Sequence, residues 1–271
     1  MNCMKTTEND NSLAARLALA QTVAREAGRL AMAFYSDRDK LSVELKGPQD
    51  FVSEADRAVE RLIVGRLSAA FPDDVLLGEE DQAAASAGTS GAIWAIDPID
   101  GTTNFLQGRD EWCVSIGLLY EAEPALGVIY HPPSDELYAA ARGQGATRNS
   151  VPIHVSGRTS FSESTIVLEY SARTPIAVLF SQLQSLAAQG GDCRRNGSAA
   201  LSLAYVADGR FDGYVEYDVY LWDMLAGMVL IREAGGWTSD LVPGQDLRCG
   251  QPLVAGTPGL RKQLIQVLRR D

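Results

Sequence analysis

Asp97 and Asp100 stand three residues apart in Trp94-Ala-Ile-Asp-Pro-Ile-Asp-Gly-Thr-Thr-Asn-Phe105. The apolar run before them, Ile93 to Ile96, has the composition of a short buried strand. Pro98 and Gly101 mark a bend. Two hydroxyls, Thr102 and Thr103, and then Asn104 follow it. Carboxylates bind hard cations, and the amides and hydroxyls of a turn bind phosphate oxygens. Both on adjacent residues suit a metal-assisted reaction at phosphate. The same letters also make an ordinary polar turn, since Asp-Pro and Asp-Gly are common turn pairs.

Two other stretches weigh on that choice. In Leu76-Leu77-Gly78-Glu79-Glu80 a second apolar strand ends in two acids, and in Leu221-Trp222-Asp223-Met224 a lone acid opens a long apolar helix. These three places, in this order, resemble the inositol monophosphatase family, whose strand-end motif reads Asp-Pro-Ile/Leu-Asp-Gly-Thr, with Gly-Glu-Glu before it and Trp-Asp after it. In weaker form the similarity runs from about Ala14 to about Leu268.

The resemblance implies an α+β fold, a layered αβαβα sandwich of the sugar-phosphatase type. It also implies a metal set of Glu79, Asp97, Asp100 and Asp223 with the carbonyl of Ile99. An all-oxygen set selects Mg2+, two or three ions, with Mn2+ as a substitute, over zinc. If four carboxylates converge, a cation must be present or some must be protonated, because unit charges 4 Å apart repel by ~4 kcal/mol at an effective dielectric near 20. Glu79 and Thr102, the latter held by Asp50, are the expected catalytic residues, positioning a water for direct hydrolysis without a phosphoenzyme. Ile99, Asp100, Gly101, Thr102 and Asp223 are expected against the substrate. So are Gly197, Ser198 and Ala199 at a helix N-terminus, with Arg194 just before them and Glu216 seven residues before Asp223. A surface ion pair is the plain alternative for Arg194. Glu80 is expected outside the metal set. Tyr220 stands where better-known animal members have histidine, and Arg109-Asp110-Glu111 is more charged than the family's usual loop after the motif.

The elements that must position these residues follow from periodicity. Residues 1 to about 11 read as a disordered tail. Leu13, Leu17, Ala20, Val23 and Ala27 give a helix from Ser12 to about Tyr35, and Leu41 to Leu45 alternates like a strand. A second helix is expected from near Asp50 to Ser53, with Ser53 and Asp56 as a capping pair; Glu54 and Asp56 read as capping and dipole residues. Residues 82 to 91 read as a loop. Strands are expected at Cys113–Tyr120, Ala125–Tyr130, Glu136–Ala141 and Val151–Val155, and His131, before Pro132-Pro133, reads as a surface turn residue. Beyond them, strands at Thr165–Leu168, Phe211–Tyr217 and Val254–Ala255 alternate with helices at Ile176–Ala188, Ser198–Ala207, Leu221–Ala234 and Pro258–Leu268. Residues 12–150 are expected to form an N-terminal lobe carrying most metal ligands. Residues 151–271 are expected to form a C-terminal lobe carrying Asp223 and the substrate wall.

Composition narrows the classes. At 271 residues and 46% hydrophobic the chain can bury a large core. A net charge of −11 disfavours nucleic acid as a partner. No run nears the ~18 apolar residues of a membrane span, and the polar N-terminus lacks a signal-peptide core. Cys3, Cys113, Cys193 and Cys249 have no metal-ligand spacing and read as reduced thiols, hence a cytoplasmic protein. With only His131 and His154, phosphohistidine and Ser-His-Asp chemistries are disfavoured. No Walker loop is present, and Asp97-x-x-Asp100 lacks the spacing of aspartyl-phosphate phosphatases.

The function expected is Mg2+-dependent, lithium-sensitive hydrolysis of a small phosphorylated polyol or alcohol, first inositol 1-phosphate, by a homodimer. Histidinol phosphate, fructose 1,6-bisphosphate and 3′-phosphoadenosine 5′-phosphate are alternatives within the class. Thr103-Asn104 disfavours the last, where Lys-Glu is more typical after Gly-Thr. A regulatory binding protein that keeps the fold is the alternative outside it.

Overall fold

The computed structural model describes residues 5–47, 50–80 and 91–268, with side chains at 13–45, 52–80 and 91–268. Residues 1–4 of the expected disordered tail, and 82–90 of the expected loop, lie outside the described residues. Helix α1 (Lys5–Ser36) already includes 5–11. Its buried stripe is Ala20, Val23, Ala24, Ala27 and Ala31, small residues at helical spacing that let it lie close on a sheet. Strands β1 (Val43–Gly47) and β2 (Asp50–Ser53) form an antiparallel hairpin. β2 takes the stretch read as a helix start, and α2 (Glu54–Ala70) begins one residue later, with Ser53 as N-cap. Ser53 Oγ accepts from the Ala55 amide at 3.1 Å, and Asp56 Oδ2 accepts from the Ser53 amide at 2.8 Å.

Next come β3 (Val75–Gly78), β4 (Ala92–Asp100), the short helix α3 (Thr102–Leu106), β5 (Cys113–Tyr120), β6 (Glu123–His131), β7 (Glu136–Ala141), β8 (Ala146–Arg148) and β9 (Val151–Pro152). β3 to β9 form a seven-stranded sheet in chain order, parallel only between β3 and β4. The β5–β6 turn puts Glu121 and Ala122 at φ of 53° and 64°, the handedness a two-residue hairpin needs. The strand expected over Val151–Val155 stops at Pro152, because the chain then leaves the sheet and the Val155 amide donates to the Ala234 carbonyl.

The second half supplies β10 (Thr165–Leu168), α4 (Ile176–Ala188), β11 (Asp192–Arg194), α5 (Ala199–Ala207), β12 (Gly213–Val219), α6 (Leu221–Glu233), β13 (Trp237–Thr238), β14 (Gln251–Gly256) and α7 (Arg261–Leu268). Its five strands are ordered β11-β10-β12-β14-β13. Helices α1 and α2 cover the outer face of the first sheet, α5 and α6 lie between the sheets, and α4 and α7 cover the far face of the second. This is the expected αβαβα sandwich, an α+β fold. α6 is buried from Leu221 to Ile231 except at Asp223, an apolar helix suited to the middle layer.

Candidate active site

Strand β4 delivers two acids to one place through a bulge. Asp97 pairs with Ser115 and Asp100 with Cys113, so β4 carries one residue more than β5 between these pairs. Pro98, which has no N–H for the ladder, sits inside that bulge. Residues three apart on a regular strand face opposite sides. The extra residue turns Asp100 back to the side of Asp97. Asp223 arrives in the first turn of α6, whose start is pinned to β5 by Ser115 Oγ donating to the Trp222 carbonyl at 3.1 Å. One carboxylate oxygen each from Asp97, Asp100 and Asp223 lies within 4.8 Å of the others. Glu79 follows the last β3 pair, its amide donating to the Ile96 carbonyl at 3.1 Å, and lines the same cleft outside that close trio.

Backbone amides surround the acids. Gly101, at φ 95°, turns the chain from β4 into α3, and a side chain there would place Cβ 2.8 Å from the Glu111 carbonyl oxygen. Asp100 faces the N-terminus of α5. It accepts from the Ser198 hydroxyl and from the amides of Ala199, Ala200 and Leu201 at 3.2, 2.7 and 3.4 Å. Asp97 Oδ1 accepts from the Ile99 amide at 2.9 Å, and Asp223 Oδ2 from the Tyr220 amide at 3.2 Å.

Burial sets the electrostatics. It pushes Asp97 well above the ordinary carboxylate range, and the charges of Glu79, Asp100 and Asp223 push it further. Asp223 rises for the same reason, with Asp100 and Glu216 adding to it. Burial raises Asp100 too, against the pull of Ser198 and the α5 amides. Glu216 goes up to about 8, chiefly by burial, although the Tyr214 hydroxyl donates to it. The cleft, about 640 Å³, is lined among the described residues by Glu79, Asp97, Asp100, Glu169, Glu216 and Asp223 against two arginines, Arg173 and Arg195. A divalent cation fits this set: the donors are hard oxygens, and their crowded charge calls for neutralisation.

Of the expected substrate contacts, Ile99, Asp100, Gly101, Thr102, Gly197, Ser198, Ala199, Glu216 and Asp223 all line the cleft. Arg194 does not. It lies on edge strand β11 and folds back, Nη1 donating to Asp192 Oδ2 and to the Cys193 carbonyl, both at 2.7 Å. The next residue, Arg195, lines the cleft instead, with Nε 3.8 Å from Glu169 Oε2. Asp50, the expected partner of Thr102, lies in β2, and its side chain is outside the described residues. Among the described residues the carboxylate against Thr102 is that of Asp56, which is fully buried: Thr102 Oγ1 is 3.4 Å from Asp56 Oδ1 and 3.2 Å from the Ile99 carbonyl oxygen. Asp56 is thus both the capping residue read from the sequence and a partner of the site.

Other contributors carried no motif. Glu169 ends β10 as Glu79 ends β3, and that repeated pattern could have revealed it. Its Oε1 accepts the Asn196 and Gly197 amides at 2.8 and 3.0 Å, shaping the approach to α5. Arg173 donates to Asp218 Oδ2 at 2.9 Å and lies 4.1 Å over the Tyr220 ring, which in turn stacks on Trp222 at 4.6 Å. The Arg109-Asp110-Glu111 loop has a structural account. Asn104 Nδ2 donates to the Glu111 carbonyl at 2.7 Å, and Tyr35 donates to Asp110 at 3.1 Å. His131 is buried, contrary to a surface role. Its Nε2 donates to the Asp110 carbonyl at 2.7 Å, which leaves Nδ1 to accept from Ser134 Oγ at 2.6 Å.

The profile of the inositol monophosphatase family matches residues 12–270. The chain belongs to that family. The inositol-1-monophosphatase of Mesorhizobium japonicum is 40% identical over 249 residues, covering 91% of this chain and 93% of that protein. The Nus factor SuhB of Pasteurella multocida is 34% identical over 255 residues, covering 93% and 95%. Among solved structures, the extragenic suppressor protein suhB of Bartonella henselae superposes with a TM-score of 0.86 at 37% identity, covering 94% of this chain and 99% of that one. Family membership makes the chain a phosphatase, a hydrolase of a metal-dependent family. The trio Asp97, Asp100 and Asp223 is an acid cluster able to hold a metal ion. No helix among the described residues is long and apolar enough to cross a membrane.

Proposed function

We propose that this protein is a Mg2+-dependent inositol-1-phosphate phosphatase acting by direct attack of water on phosphorus. The observation that carries this reading is the meeting of Asp97, Asp100 and Asp223 within 4.8 Å, with Glu79 lining the same cleft. Asp97, Asp100, Asp223, Glu79 and the Ile99 carbonyl would hold the ions, two or three Mg2+ or Mn2+. When bound, these supply a lowered pKa for water and charge neutralisation at phosphate. Glu79 and Thr102 place the attacking water, Thr102 being fixed by Asp56 and the Ile99 carbonyl. The amides at the start of α3 receive phosphate oxygens. The alcohol portion lies toward Glu216 and the α5 end at Gly197 to Ala199. The protein works as a cytoplasmic homodimer in this reading.

A panel of phosphomonoesters assayed with and without Mg2+ tests the proposal. Inositol 1-phosphate is expected to lead histidinol phosphate, fructose 1,6-bisphosphate and 3′-phosphoadenosine 5′-phosphate in kcat/KM. Activity should vanish with chelator and fall with Li+ only when substrate is present. A faster turnover of another ester would reassign the substrate. No turnover of any ester would favour a regulatory role, the second reading, which the relatives named Nus factor SuhB support.

A further inference from the structure

Helix α2 carries two buried carboxylates one turn apart. Asp56 is 0% and Glu60 4% exposed, and as i and i+4 they share one face. Asp56 meets Thr102. Glu60 meets the other half of the water site: its Oε2 accepts from the Glu80 amide at 2.9 Å. That amide belongs to the residue after Glu79, just past the last β3–β4 pair, Gly78 with Ile96. The strand end is also shaped for this contact. A Cβ at Gly78 would come 2.5 Å from Glu60 Oε2, so only a residue without a side chain lets the carboxylate close on the turn.

We propose that Glu60 is a positioning residue for the metal site: by holding the Glu80 amide it fixes the bend that aims Glu79 into the cleft. With Asp56 on Thr102, one rigid face of α2 then sets both groups that place the attacking water. Glu60 makes no contact with substrate in this scheme and acts only through Glu79. The inference rests on the metal-dependent reading above.

Loss of a group that orients a metal ligand from outside typically weakens metal binding by about tenfold to a hundredfold. The test uses the full chain and Mn2+, whose free ion is read directly by electron paramagnetic resonance. It adds the Mg2+ half-saturation of turnover, and the melting temperature in chelator. Glu60→Ala is expected to bind Mn2+ about tenfold more weakly and to raise the Mg2+ half-saturation in step, with kcat largely recovered at saturating Mg2+. Glu60→Gln keeps an acceptor oxygen and should stay within about twofold of wild type. If Glu60→Ala fails to fold, Glu60→Asp, one methylene too short, and Gly78→Ala, which displaces the carboxylate, carry the same expectation. A folded Glu60→Ala protein with a lower melting temperature but unchanged Mn2+ affinity would overturn the inference and leave Glu60 a packing residue. A wild-type protein that binds no Mn2+ would instead overturn the metal-dependent reading itself.

Discussion

Glu216 is an acid without a metal role that faces the cleft, and the Tyr214 hydroxyl holds it in place. Bound cations would favour its ionised form, and a hydrogen bond from a substrate hydroxyl to that form is charge-assisted and contributes ~1.5–3 kcal/mol. Glu216→Ala should therefore lower kcat/KM for inositol 1-phosphate by roughly tenfold to a hundredfold, and leave p-nitrophenyl phosphate, which lacks hydroxyls, nearly unchanged. Equal losses on both substrates would show that Glu216 supports the metal set or the fold. Asp97→Asn tests the acid cluster. It removes the charge that Glu79, Asp100 and Asp223 oppose most directly. Turnover should disappear, while the metal-free protein melts at a higher temperature than wild type; near-normal Mg2+-dependent activity would count against the assignment. At this scale the acids were legible because each ends a strand or starts a helix within a distinctive string. Asp56 was read only as a capping residue, yet the start of α2 at Glu54 also sets it against Thr102. The arginine error is one of offset. Arg194 and Arg195 are adjacent, and it is the edge strand ending at Arg194 that takes that side chain away from the cleft.

Elements hold these residues through a few buried polar ties. Arg16 of α1 reaches Asp74, just before β3, with two bonds of 2.9 and 2.8 Å, and the Trp94 ring N–H of β4 donates to the same carboxylate at 2.9 Å. Asp74 is 1% exposed, and Arg16 also lies 4.4 Å over the Phe71 ring. Removing one member of a buried pair strands the other, at a cost of about 3–5 kcal/mol. Arg16→Ala should destabilise the protein by that order in denaturant titration. Asp74→Asn should cost a comparable amount, because it leaves the buried Arg16 guanidinium without its counter-charge and sets an amide N–H2 against a donor. A change below ~0.5 kcal/mol for Arg16→Ala would mean that the pair is solvated in solution. Long elements were legible: α4, β5 and β7 fall on the stretches read from periodicity alone. Two-residue and three-residue strands such as β13 and β11 were not, since an alternation needs more residues than they have. The β4 bulge was half legible. Pro98 announced a break, but not that the break would bring both acids to one side.

At the scale of the molecule, the net charge is −11, and among the described residues the cleft gathers six acids against two arginines. Burial raises Asp97, Asp100, Asp223 and Glu216 together, the last to about 8. The folded protein therefore retains protons that the unfolded chain has already lost near pH 4, and stability falls as pH rises through the folded values. His131 works the other way. Burial holds it below its ordinary 6.5, so its contribution to stability is lost as pH falls below that value. Above about pH 6.5 it is neutral in both states and no longer contributes to the slope. Between about pH 6.5 and 8 the proton that Glu216 retains adds up to ~1.4 kcal/mol per pH unit to the decline. In chelator the melting temperature should thus drop steadily across that range. Saturating Mg2+ should raise it, most at the alkaline end, because the ions favour the ionised acids and binding releases protons. Calorimetry at several pH values, with and without Mg2+, reads both effects. A metal-free melting temperature that is level or rising from about pH 6.5 to 8 would mean that the acids are ionised and solvated in solution, and that they do not converge as this structure has them.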